Sequence, residues 1–424
     1  MLAPPDPDAV AACLVPRGHD VARLARAASS GRIRGIGGDL WARARSRPHA
    51  AGGLWRRGLR EARALHSWER RLVADALRDL ARLGPLLASA VGEHAVWDAW
   101  LATQGLVDGL SPTLVEAVTP EALASRLAER SPEAAWACLA GVPEPVAAEL
   151  ILVLGPEMGP FLAASARRAP IGIRATPGRR AEVVAALLAA GVEPADGTLV
   201  PEAVVVPAGA DVEAVARRLP GALEVQDEAS QLVASLVGAA PGLRVLDACA
   251  GAGGKALALA AAGADVLAAD VRAPALDELA ARAARHGVRI RTRTWRDGEP
   301  IDSRPFDVVL VDAPCSGSGT WRRHPELRWR LDALEATRAV QAEVLARASA
   351  SVRPGGRLVY ATCSVLPSED EAIVGAFLAS NQRFRAVAPT GAPPAVRSPD
   401  SVRSWPHRHG VDGFFAAVME AEGR

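Results

Sequence analysis

The sequence predicts an α/β protein in three parts: a doubly wound, mainly parallel sheet over residues 222–424, a small α+β module at 160–221, and an N-terminal helical domain at 1–155. Three observations lead there. From residue 222 onward short apolar runs alternate with helical patterns, which is the mark of strands buried on both faces and joined by crossover helices. Before that, strand and helix alternate within a compact stretch of about 60 residues, too short for more than a small module. The first part shows helical periodicity alone, broken by Gly and Pro. A chain of 424 residues with 50% hydrophobic content holds enough apolar surface for two or three domains.

Taken in order, the N-terminal part is clearest in SWERRLVADALRDLARL, where Trp68, Leu72, Val73, Ala76, Leu77, Leu80 and Leu83 recur at helical spacing. It reads as one helix of a small bundle without chemistry of its own. Charge is uneven along the chain. Residues 1–66 carry twelve Arg against five acidic residues, a local balance of +7 in a protein whose net charge is +1. That asymmetry permits a polyanionic partner at this end. The start, MLAPPDPDAV, lacks the basic and apolar regions of a secretory signal, and no uninterrupted apolar run reaches the length of about 18 residues needed to span a bilayer. The expectation is a cytoplasmic monomer with no membrane partner. The five cysteines (Cys13, Cys138, Cys249, Cys315 and Cys363) are far apart and lack paired spacing, so neither disulfides nor a metal site is expected.

The middle module begins with IGIRATPGRRAEVVAALLAAGVEP, a strand, a turn and a short helix, and continues through LVPEAVVVPAG to a second helix, DVEAVARRLP. Beyond it LRVLDACA, ADVLAADV, VRIRTRTW, FDVVLVDAP, GRLVYATCS and GFFAAVMEA read as strands. The helical patterns between them are ALALAAAG, PALDELAARAARHG, LDALEATRAVQAEVLARAS and SEDEAIVGAFLAS. In such a sheet ligands bind beyond the carboxyl ends of the strands, and the chemically suggestive residues fall there.

VLDACAGAGGKA puts Asp247 at the end of a strand and follows it with a glycine turn running into a helix. Glycines admit a ligand close to the backbone, and the helix N-terminus offers free N–H groups. Gly251, Gly253 and Ala256 also satisfy the dinucleotide fingerprint, with Asp270 at the spacing of a ribose-binding acid, so an NAD enzyme competes at this point. The later strands weigh against it. One ends in VDAPCSGSGTWRRHPELRW, with Asp312, Pro314 and Cys315 close together, and the next ends in YATCSVLPSEDE, with Cys363. Two thiols and a carboxylate at one cleft have no use in hydride transfer. They suit addition of a thiolate to C6 of a pyrimidine, which makes C5 nucleophilic enough to take a methyl group from a sulfonium donor. Lys255, the only lysine in the chain, stands at the foot of the glycine turn. An ammonium there would reach the base and favour a nearby thiolate.

The segments CAGAGGK, VLVDAPCSGSGTWRRHPELRW, VYATCS and HGVDGFFAAV, with EVQDEASQL upstream, resemble the RsmB-like (Fmu/Sun) RNA cytosine-C5 methyltransferases. The likeness spans roughly residues 165–424 and is loose across the N-terminal helices. It implies a Rossmann-like class I methyltransferase domain that uses S-adenosyl-L-methionine. By resemblance Cys363 is the nucleophile and Cys315 assists product release. Cys249, Ala250, Gly251, Ala252, Gly253, Gly254 and Lys255 form the turn that holds the cofactor, Asp270 binds its ribose, and Asp297 sits near the adenine. Asp312 lies between cofactor and base. Two departures from the commonest pattern stand out: Ala252 replaces the usual Pro of the turn, and Ala256 a frequent Thr, so cofactor binding is expected to persist in weakened form. Cys249 is expected to contribute only small size, Cys13 and Cys138 to be core residues, and His324 to be structural or to contact RNA.

The resemblance implies RNA as partner, with rRNA first and tRNA second. A thiolate reaches C6 only of a base taken out of its stack, so single-stranded or loop RNA is the natural substrate. Arg322, Arg323, Arg328 and Arg330, interleaved with Trp321 and Trp329, are expected to grip phosphates and stack on bases near the pocket. The middle module and the basic N-terminal end are candidates for wider RNA contact. A non-catalytic RNA-binding assembly factor that retains a cofactor fold is the alternative in kind, and intact Asp312, Cys315 and Cys363 argue against it.

Overall fold

A computed structural model describes residues 2–296 and 301–423. The chain divides into two compact units. One comprises Met1–Arg168 and Ser316–Leu334, the other Ala169–Cys315 and Glu335–Arg424.

The first unit is helical. Its longest element, Ser67–Val91, starts from a capping box in which the Glu69 carboxylate accepts from the His66 N–H at 2.6 Å, and it stops at Gly92, whose φ of +83° suits glycine. Leu72, Val73, Ala76, Leu77, Leu80 and Leu83 are buried as their spacing predicts. Each fully buried leucine contributes about 2 kcal/mol of transfer free energy. Trp68, counted with that stripe, is instead only half-buried. The helices run on to Ala166, past the predicted boundary at 155. Among the described residues one stretch, Glu144–Ala166, is long and apolar enough to cross a membrane, and half of it is buried in the protein. It is interrupted by a 3-10 turn at Gly155–Glu157 and places Val146, Leu150, Leu154 and Phe161 in the core.

The segment Ser316–Leu334 completes this helical core, which corrects the reading of its tryptophans and arginines as an RNA grip. Trp321 is 1% exposed and packs on Phe161, while Trp329 meets Trp41 and Trp55 edge-on at 5.2 and 5.4 Å. Arg328, 3% exposed, lies 4.3 Å over the Trp321 ring and donates through Nε to the Ala140 carbonyl at 2.9 Å. Arg322 is buried, and the carbonyls of Arg322 and Arg323 accept from the Arg78 guanidinium. Of the four arginines only Arg330 is exposed. His324 is partly exposed and lies 3.6 Å from Glu326.

In the second unit, strands β1 (Ile171–Ala175), β2 (Ala195–Asp196), β3 (Ala203–Val206) and β4 (Leu223–Val225) form an antiparallel sheet in the order β2-β3-β1-β4. With helices Arg180–Ala189 and Val212–Arg218 this is a βαββαβ module around Ile173, Val183, Leu187, Val204 and Val215. It ends at Val225 rather than at 221. No aromatic residue occurs between 171 and 225, so its sheet offers no stacking platform.

The larger sheet is built from β5 (Arg244–Asp247), β6 (Asp265–Asp270), β7 (Arg291–Thr294), β8 (Phe306–Asp312), β9 (Val352–Thr362), β10 (Phe384–Val387), β11 (Ser401–Ser404) and β12 (Phe414–Ala421). Its order is β10-β12-β9-β8-β5-β6-β7, with β11 paired on β12. Strands β5 to β9 are parallel, and β12 runs antiparallel to its neighbours. Alternate residues fill two cores: Val245, Val308, Leu310, Val359 and Ala361 on one face, Leu246, Val309, Val311, Leu358 and Tyr360 on the other. An antiparallel strand inserted beside β9 departs from the all-parallel order of dinucleotide-binding sheets, which removes the NAD alternative at the level of fold.

Candidate active site

Asp247 closes β5, Asp270 closes β6 and Asp312 closes β8. In the register Asp247 pairs with Leu310 of β8 and Asp312 with Ala361 of β9. Three carboxylates and three cysteine-bearing loops, with Cys249, Cys315 and Cys363, thus meet at the carboxyl edge of four adjacent strands.

The glycine turn is held from several directions. Ala250 N–H donates to the Ala269 carbonyl at 2.9 Å, and Gly253 N–H to the Ala250 carbonyl at 2.8 Å. Gly253 has φ +87°, and a β-carbon there would fall 2.4 Å from Leu279 Cγ, so no larger residue fits without displacing that core leucine. The carbonyl of Ala252, where the resemblance leads one to expect proline, accepts from Arg282 Nη1 at 2.6 Å. Arg282 in turn pairs with Glu224 of β4 at 2.6 Å, and His286 Nε2 lies 2.7 Å from the same carboxylate. Burial acts to raise the Glu224 pKa, but hydrogen bonds and attraction from His286 and Arg282 outweigh it and bring it to about 2.

Asp270 spans the turn. Its Oδ2 accepts from Gly251 N–H at 2.8 Å, and its Oδ1 from Arg272 N–H at 2.9 Å and Arg272 Nε at 3.1 Å. Burial opposes its charge, yet these bonds hold the carboxyl below its usual range. Asp247 is 1% exposed, and its Oδ1 has no hydrogen-bond partner among the described residues. Burial, then repulsion from Asp312, pushes its pKa up to about 7. Burial, followed by the nearby carboxylates, also drives the Cys249 thiol far up, which makes it a poor nucleophile. Burial likewise pushes Cys13 to about 11 and raises Cys138, and both are core residues.

Lys255, 7% exposed, donates through Nζ to Asp312 Oδ2 at 2.6 Å and lies 5.2 Å from the centroid of Phe414, the first residue of β12. Burial works against the ammonium, but Asp312, Asp247 and Cys363 favour it strongly enough to raise its pKa. The Sγ atoms of Cys315 and Cys363 are 3.3 Å apart, neither is in a disulfide, and both residues are half-buried. Asp297, assigned by resemblance to the adenine, lies outside the described residues.

A buried network behind the thiols was not anticipated from the sequence. Glu369, with no solvent exposure, accepts from Ser364 Oγ at 2.6 Å and from Gln341 Nε2 at 3.0 Å; Gln341 Nε2 also donates to the Pro314 carbonyl at 2.9 Å. Thr362 Oγ1 donates to Asp370 Oδ1 at 2.5 Å, and Arg403 pairs with Asp370 Oδ2 at 3.0 Å. One carboxylate therefore ties the residue before Cys315 to the residue after Cys363. The available signal was the acidic pair in YATCSVLPSEDE, which reads more simply as a helix start. Two further motifs meet here: Asp227 of EVQDEASQL accepts from the Asp412 N–H of HGVDGFF at 3.1 Å.

Residues 235–420 match the family described as 16S rRNA methyltransferase RsmB/F. The ribosomal RNA small subunit methyltransferase B of Xylella fastidiosa is 36% identical over 323 residues, covering 72% of this chain and 72% of that protein. The protein of the same name from Pseudomonas syringae pv. tomato is 35% identical, covering 57% of this chain, and the matched stretch spans only 56% of that relative's length. The crystal structure of PH0851 superposes with a TM-score of 0.69 at 25% identity, covering 92% of this chain and 98% of that one. On these likenesses the chain belongs to the 16S rRNA methyltransferase RsmB/F family.

Proposed function

We propose that this chain methylates C5 of a cytosine in RNA, with small-subunit rRNA as the first substrate class, through a covalent bond between Cys363 Sγ and C6. The observation that carries the reading is the pair of thiols 3.3 Å apart, set at the ends of adjacent strands beside the Lys255–Asp312 pair. The residues of the glycine turn fit the cofactor: Asp247 keeps a buried oxygen free for an ammonium, Gly251 and Gly253 let backbone approach, and Asp270 faces the same turn for ribose hydroxyls. S-adenosylmethionine, when bound, supplies the electrophilic methyl carbon that C5 captures.

The protein's own part is as follows. Cys363 Sγ adds as the thiolate to C6 and forms the S–C6 bond, which breaks the C5=C6 π bond and makes C5 nucleophilic. Asp312 accepts a hydrogen bond from the N4 amino group of the base and holds the ring in place during addition, an interaction that contributes about 3 kcal/mol in a dry site. Cys315, as thiolate, takes the proton from C5; that electron pair restores the C5=C6 bond, and the S–C6 electrons return to Cys363. Denaturing gels of protein with RNA and cofactor test this. Cys315→Ala should accumulate a covalent RNA adduct, and Cys363→Ala should give neither adduct nor methylated product. Labelled methyl on C5 without any need for Cys363 would overturn the reading.

A further inference from the structure

A cleft of about 690 Å³ opens in the first unit, and five arginines line it: Arg17, Arg23, Arg71, Arg167 and Arg168. Two are fixed from beneath by buried carboxylates. Asp79, fully buried, accepts from Arg17, from Arg82 Nη2 at 2.9 Å and from Trp100 Nε1 at 3.0 Å. Asp75, 4% exposed, pairs with Arg168 and with His19 Nε2 at 3.3 Å. The guanidinium groups of Arg23, Arg71 and Arg167 are exposed and form no ion pair among the described residues. Five arginines thus face two lining carboxylates, Asp20 and Asp75, and the underlying Asp79. The excess is felt nearby: burial, then repulsion from Arg17 and Arg168, lowers the Arg78 pKa.

Trp68 also lines the cleft, half-buried, three residues before Arg71 and so on the same side of the helix Ser67–Val91. A stacking surface beside unpaired guanidinium forks is the combination that holds a single strand: the forks match phosphate oxygens and an aromatic face accepts any base. We propose that this cleft binds the backbone of single-stranded RNA, with phosphates against Arg23, Arg71 and Arg167 and a base stacked on Trp68. The proposal rests on the RNA substrate argued above.

The test uses the full chain and a fluorescein-labelled 16-nucleotide single-stranded RNA, with anisotropy read between 50 and 200 mM KCl. The triple variant R23A/R71A/R167A should bind about tenfold more weakly at the upper end and show a log–log salt slope shallower by about 2, as loss of three phosphate contacts on a single strand requires. Its KM for RNA in methyl transfer should rise by a similar factor. Trp68→Leu should weaken binding severalfold and leave the salt slope as in the wild type. A triple variant with wild-type slope and KM overturns the cleft while leaving methyl transfer standing. A wild-type chain with no RNA affinity overturns both, and displacement of the RNA by poly-glutamate with no effect of Trp68→Leu reassigns the cleft to an acidic protein.

Discussion

Lys255 is the only lysine among 49 basic residues, and its surroundings explain why arginine would serve poorly. The ammonium is buried between Asp312 and the Phe414 ring, where a wider planar fork would displace one of them. Lys255→Arg should therefore cut methyl transfer by about a hundredfold in a single-turnover assay, the size of effect seen when one donor of a charged site is lost. Near wild-type turnover would remove the case for a compact cation. Asp247 makes a second prediction. Its pKa of about 7 in the folded protein stands above the ordinary 3.8, so it holds a proton more tightly folded than unfolded, and the stability this lends at low pH is lost as pH rises from about 4 to about 7. A cationic cofactor needs the ionised form, so its affinity should fall by up to about tenfold per pH unit below pH 7 and level off above it. Calorimetric titration from pH 5.5 to 8.5 checks this, and Asp247→Asn should flatten the profile. These residues were legible because each ends a strand or begins a helix within a short motif. Glu369 and Gln341 were not, because their partners lie in other segments and nothing in the sequence reports which buried carboxylate a distant amide will meet.

The two thiol loops are set by elements as much as by their own residues. The helix Leu334–Ser349 presents Gln341, and the turn before the helix Glu371–Ser380 presents Glu369, so loop spacing depends on helices packed against one face of the sheet. Glu369→Gln keeps the volume but removes the charge that accepts from both Ser364 and Gln341. It should cost about 2 kcal/mol of stability and lower kcat about tenfold, with the KM for RNA unchanged. A loss of stability alone, with kcat intact, would make Glu369 merely structural. On the other side of the sheet Glu224 links β4 to the helix Ala273–His286. Its folded pKa of about 2 lies below the ordinary 4.5, so its stabilising contribution is complete above pH 4.5 and is lost as pH falls toward 2. Glu224→Gln should be less stable at neutral pH and lose less on acidification, as read by urea unfolding at pH 7 and pH 3. Strands β5, β6, β8, β9 and β12 were legible as apolar runs, whereas β10 and β11 were missed because four-residue strands such as FRAV and SVRS carry an arginine in place of a clear alternation.

The chain passes from the helical unit to the sheet unit after Arg168, returns at Ser316, and leaves again after Leu334. The predicted boundary at 155 follows composition, which changes smoothly there, and gives no hint that a segment nearly 150 residues later fills the same core. In WRRHPELRW the alternation of tryptophan and arginine looks like a nucleic-acid grip because both uses need a flat apolar face and a guanidinium. The difference lies in what the guanidinium meets. Here it is the Ala140 carbonyl, with the Trp321 ring beneath, and the Trp329 indole N–H reaches the Ala81 carbonyl at 3.1 Å. Removing a fully buried tryptophan costs about 3–5 kcal/mol, a large share of the stability of a domain this size. Trp321→Ala in the full chain should therefore lower the unfolding free energy of the helical unit, read by urea titration, by that amount. A fragment of residues 1–168 lacks Trp321, Arg328 and Trp329 together, and should keep helical far-UV circular dichroism while losing its near-UV signal and cooperative urea transition. A fragment that unfolds cooperatively with native near-UV bands would show that residues 316–334 only cover the helices and do not complete their core.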